Sequence, residues 1–168
     1  MASMVTTMSA GAWIAGRDTA LMQTETPTFV GTRLTRYMVA KAFRTAVLLT
    51  GGVSQAEAAV REAIGRVDPE LISDDTFLLN CVRTSIVPSR RSRPAVADTE
   101  SASSILAPEL KRILLLAPYF RQALVLRVLL GLSEDECERL NVRNASERAC
   151  AAVKELARIR AAERCAAA

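Results

Sequence analysis

Chemistry at a protein site needs groups that trade protons, hold metals or attack electrophiles, and this 168-residue chain is short of them. It contains no histidine, which removes the commonest general base and metal ligand and, with them, the usual hydrolase triads. Its four cysteines, Cys81, Cys137, Cys150 and Cys165, are widely separated and none forms a CxxC pair. Neither a zinc site nor a disulfide framework is indicated, so they are expected as reduced, small apolar residues on helices. No spaced carboxylate pair stands in a pocket motif. Catalysis is therefore not expected, and no metal or cofactor is called for.

What remains is the chemistry of binding. The net charge is +4 and the pI is near 9.2, which suits a polyanion partner and suits an ordinary basic protein as well. Arg90, Arg91 and Arg93 form a short basic run, read first as a solvated linker and second as a contact to a nucleic-acid backbone. The longest apolar stretch, Ile113 to Leu132, carries Arg121, Gln122 and Arg127 at its centre, which would be costly in lipid. It belongs in a protein core, and with no secretion signal in the first thirty residues a cytoplasmic protein without a membrane partner is expected.

The elements that must position such charges are helices. Aromatic residues make up only 4% of the chain while half of it is apolar. An Ala, Leu, Arg, Glu and Val mixture of this kind favours an all-α fold. Residues 1–32 lack a clear period and read as a loosely ordered lead-in. From Arg33 to Leu49 the apolar residues Leu34, Tyr37, Met38, Ala42, Ala46 and Leu49 recur at helical steps. Gly51 and Gly52 stop that helix, and Ser54 with Glu57 reads as a capping box opening a second, through about Val67. Phe77, Leu78, Cys81 and Val82 mark a third helix that Pro88 ends, so that 33–86 forms a first helical domain.

Residues 87–104 hold prolines, arginines and serines without an apolar period and read as a flexible linker. A second, four-helix domain follows over 105–168. Leu106, Leu110, Ile113 and Leu114 outline its first helix, and Pro118 opens another that Gly131 closes. Ser133 caps a short helix ending near Leu140. After a turn at Asn141 to Arg143, Asn144 or Ser146 caps a last helix with Ala149, Val153, Leu156 and Ile159 on one side. A short helix, a tight turn and a longer helix make a helix-turn-helix.

The run LAPYFRQALVLRVLLGLS, Leu116 to Ser133, resembles the opening of the promoter-binding domain of extracytoplasmic-function sigma factors. Upstream, LLTGGVSQAEAAVREAI, Leu48 to Ile64, looks like the family's core-polymerase-binding helices. The resemblance implies a sigma-factor-like transcription initiation protein with bacterial core RNA polymerase and promoter DNA as partners, and an inhibitory anti-sigma-like protein as a further one. It places Arg121, Arg143, Asn144, Ser146, Arg148 and Lys154 at DNA, and Glu57, Arg61 and Glu62 at polymerase. The chain departs from the family at Ala58, Arg61, Thr84 and Pro88, where Asp, Gln, Asn and Asp are usual. Those departures imply an alternative from another class, a sigma-like adaptor that binds a protein partner without reading promoters.

Overall fold

The computed structural model describes residues 34–68, 73–89 and 96–166, which hold eight α-helices and no strand. The expected lead-in over 1–32 and the arginines at 90, 91 and 93 lie outside the described residues. The fold is all-α.

The first helix, α1 (Arg36–Thr50), begins where Thr35 accepts a hydrogen bond from the Met38 amide and ends where Gly51 turns left-handed at φ +83°. Met38, Ala42, Ala46 and Leu49 are buried along one face, as the spacing predicts, whereas Tyr37 stands 63% exposed. α2 (Val53–Gly65) and α3 (Asp74–Ser89) pack on α1 and on each other, giving a three-helix bundle around Val47, Leu49, Ala56, Val60, Phe77 and Val82.

Two details of this bundle differ from the sequence reading. Ser54 does not cap α2. Gly52 holds the cap position with no side-chain bond, and the Ser54 amide and hydroxyl both donate to Asp98 Oδ1 at 3.0 Å. A carboxylate arriving from elsewhere in the chain thus meets the Ser54 amide, one of the two that the local box was expected to satisfy, and places negative charge at the start of the helix. Thr84, which stands where the resemblance has Asn, is buried and donates to the Ala59 carbonyl at 3.0 Å. It fastens α3 to α2.

Asp98 belongs to α4 (Val96–Ile105), so part of the stretch expected as linker is helical and rests on α2. Its Ala102 is fully buried. Then α5 (Pro108–Lys111) runs directly into a 3-10 turn, Arg112–Leu115, in place of a single helix. α6 (Pro118–Leu124) starts on proline, whose missing amide costs nothing at that position, and widens into a π turn at Val125–Leu129. Gly131 at φ +68° closes it. α7 (Glu134–Arg139) and α8 (Ala145–Ala166) complete the chain.

α8 packs mainly on α6, with lesser contacts to α7 and the π turn. The buried side chains of both groups of helices form one continuous apolar core, and residues from Leu34 on belong to a single compact unit. The two groups meet chiefly through α1, which touches α6 and the π turn. No described helix is long and apolar enough to cross a membrane.

Candidate nucleic-acid interface

The C-terminal pair of helices is built from local sequence upward. Ser133 caps α7 in a reciprocal box: the Glu136 amide donates to the Ser133 hydroxyl at 3.3 Å and the Ser133 amide donates to Glu136 Oε2 at 2.7 Å. The Ser133 amide and, at 2.8 Å, its hydroxyl both donate to the Glu136 carboxylate and favour its ionised form, so the Glu136 pKa falls below its ordinary value. Asn141 at φ 61° and Asn144 at φ 53° supply the left-handed residues of the turn that follows, a conformation that Asn tolerates better than most residues. Cys137 and Val142 are buried beneath the turn and fix its depth.

Glu134 does more than begin α7. Its carboxylate reaches across the turn to accept from the Ala145 amide at 2.6 Å and the Ser146 amide at 2.9 Å, and also from the Ser146 hydroxyl. The first turn of α8 is therefore capped by a residue eleven positions upstream, and the angle between the two helices is held by a carboxylate at the positive end of a helix dipole. Bonding from the Ser146 hydroxyl, then from the Ser146 and Ala145 amides, with the Arg127 cation nearby, lowers the Glu134 pKa despite some desolvation. Arg127 stands 3.8 Å from Glu134 and also donates to the Leu132 carbonyl.

The buried side of α8 carries Ala145, Ala149 and Ala152, with Leu156 and Ile159 partly buried behind them. Val153, expected among them, is 51% exposed. At 100° per residue it lies well off the line through 145, 149, 152 and 156, so the helical period that selects its neighbours excludes it. The outward side presents Ser146, Glu147, Cys150, Lys154 and Arg158. Small alanines on the inner side let α8 approach α6 closely, and the outer side is left mixed in charge.

Of the side chains that the resemblance assigns to DNA, Arg143, Asn144, Ser146 and Lys154 are exposed around the first half of α8, and Arg148 is half-buried at its flank. Asn144 and Ser146 sit at the very start of the helix, and Ser146 spends its amide and hydroxyl on Glu134. Arg121 is not among them. It is 4% exposed, and its guanidinium donates to the carbonyls of Thr50 at 2.9 Å, Leu49 at 3.4 Å and Leu114 at 3.5 Å. In this arrangement it cannot reach a phosphate. On α2, Glu57, Arg61 and Glu62 are exposed and lie together, with Glu62 paired to Arg66.

No family model, no curated protein and no solved structure matches the chain.

Glu134 is the residue that the sequence reading missed. Acids are common in a first helical turn, and nothing in Glu-Asp-Glu over 134–136 marks the first of them as the cap of a different helix. Among the described residues no group of acids and cysteines has the arrangement of a metal site. Burial pushes the Cys81 thiol up to about 12, and desolvation raises Cys137 as well. Both are inert packing groups at neutral pH.

Proposed function

We propose that the chain is a sigma-factor-like transcription protein that associates with bacterial core RNA polymerase through α2 and presents the first half of α8 to promoter DNA. The observation that carries this reading is the clasp of Glu134 across the turn, which holds a short helix and a long one as a rigid pair with Arg143 and Lys154 exposed beside the entry of α8. A rigid helix pair is what major-groove docking requires, since base-edge contacts depend on a fixed helix orientation. The two resembling segments, Leu48 to Ile64 and Leu116 to Ser133, fall on the α1–α2 corner and on α6 with its exit, in the order that the family has them.

A second reading, the adaptor that binds protein without promoter recognition, draws on the outer side of α8. Glu147 lies between Arg143 and Lys154, Val153 is 51% exposed, and Arg121 is withdrawn. Fewer cations and one anion on that side leave little for phosphate.

A pull-down of the full chain with core polymerase, followed by retention of duplex DNA at two salt concentrations, tests both. The first reading expects association and salt-sensitive retention. Replacing Arg143 and Lys154 by Ala then flattens the logarithmic salt dependence by roughly one unit per lost phosphate contact. Association with polymerase and salt-independent or absent DNA retention establishes the adaptor, and absence of association sinks both polymerase readings.

A further inference from the structure

Arg121 is the one charged side chain among the buried described residues, and no carboxylate among them pairs with it. Its partners are the last carbonyls of α1, at Leu49 and Thr50, and the carbonyl of Leu114. Those of α1 are the groups that a helix leaves unsatisfied at its C-terminal end, where the dipole is negative. The guanidinium sits so close to the chain there that a Cβ added to Gly51 would come within 2.7 Å of both its terminal nitrogens. Gly51 therefore serves two ends, a left-handed turn and room for a cation. One guanidinium group, Nε, has no partner at all.

This places the charge on the seam between the α1–α3 bundle and the helices around α8, where α1 meets α6 and the π turn. Burial costs an arginine its hydration, and neutral carbonyls return less of it than a carboxylate or a phosphate would. The same desolvation lowers the Arg121 pKa to about 10. The unsatisfied Nε adds to the cost. A contact held by a small difference between large opposing terms is suited to open and close, and the π turn beside it is a local irregularity of the kind that accompanies moving or functional helix segments.

We propose that Arg121 is a releasable interlock that holds α6 against the end of α1, so that the arrangement seen is a closed state and its opening frees the two groups of helices and the guanidinium together. The physics rests on the seam alone. Its purpose, regulating access of α2 and α8 to polymerase and DNA, rests on the function proposed above. A phosphate, which accepts paired bonds from a guanidinium, competes for Arg121 only in the open state, so polyanions favour opening.

The test uses the full chain carrying R44C and Cys150→Ser, labelled as a donor–acceptor pair at position 44 on α1 and at native Cys165 on α8, with Cys81 and Cys137 protected by burial. Arg121→Met and, independently, Gly51→Ala are expected to lower the energy transfer. Exchange of the Leu49, Thr50 and Gly51 amides is expected to speed up by roughly tenfold, with α2 and α3 amides unchanged and helicity by circular dichroism kept. Arg121→Lys, which keeps the charge, is expected to restore part of the transfer. Unchanged transfer in both Arg121→Met and Gly51→Ala overturns the interlock. So does loss of protection throughout both variants, since Arg121 would then be part of an indivisible core. Opening without any gain in polymerase association leaves the interlock standing and removes the function proposed for it.

Discussion

Arg121 and Glu134 solve the same problem at opposite ends of two helices, and they differ in water. Arg121 brings a cation to the carbonyl end of α1 with 4% of its surface exposed. Glu134 brings an anion to the amide end of α8 from a position its solvent still reaches, at 36% side-chain exposure. Each matches a helix dipole with the opposite charge. In the dry seam the match must outweigh a heavy desolvation cost, and losing it strands buried carbonyls. At the wetter turn the Glu134 carboxylate and the exposed Ser146 fall back on water, while the buried Ala145 amide does not, so the clasp steers orientation and stabilises only modestly. The buried charge governs whether two groups of helices stay together, and the exposed one governs how a helix is aimed.

The sharpest way to break the buried half of this comparison is Gly51→Val. It forces a β-branched residue to φ +83° and drives a side chain into the guanidinium. A loss of about 3 kcal/mol is expected from left-handed strain together with displaced hydrogen bonds, read as a lower urea midpoint at unchanged m-value. Arg121→Met is expected to cost less, about 2 kcal/mol, because removing the cation also removes its desolvation cost while leaving the Thr50 carbonyl unmet. A variant as stable as the wild type would show that the carbonyls find water and that the seam is not dry. On the exposed side, Ser133→Ala removes the cap of α7 and is expected to cost about 1 kcal/mol, read in the same titration. A larger loss than that of Arg121→Met would invert the comparison.

Legibility in the sequence follows the same division between local and distant causes. Met38, Ala42, Ala46 and Leu49 were readable because a helical face repeats within a few residues, and Ser133 with Glu136 because a capping box closes within one turn. Gly131 closing the helix after Pro118 is equally local. Arg121, by contrast, is placed at DNA by the resemblance, since nothing near it in the chain announces that the end of α1, some seventy residues earlier, supplies its carbonyls. Ser54 misled for the same reason: its partner Asp98 lies 44 residues away, in a stretch whose serines and prolines hide a short helix. Val153 failed differently, because four apolar residues on an Ala-rich helix leave the centre of the buried face poorly fixed until the small residues are seen inside.

The smallest expected effect is also the most diagnostic of the clasp. The Glu134 pKa is lowered, first by the Ser146 hydroxyl and then by the Ser146 and Ala145 amides, so the folded state prefers the ionised carboxylate more than the unfolded chain does. Its contribution is fully present above the unfolded glutamate value, about 4.3, and is lost as pH falls through the lower folded value. Glu136, lowered by its bonds to Ser133, acts in the same direction and window, so acid alone does not separate the two. Glu134→Gln does: it keeps an acceptor for one amide and discards the charge. The wild type minus variant difference in stability should therefore be small, constant above the window and shrinking within it, while Ser133→Ala retains the part of the pH dependence that belongs to Glu134. In two-dimensional NMR the Ala145 and Ser146 amides should shift with that titration in the wild type and stand still in Glu134→Gln. If those two amides ignore pH in both proteins, the carboxylate is not their partner, and the orientation of α8 has to come from the alanine-lined packing on α6 alone.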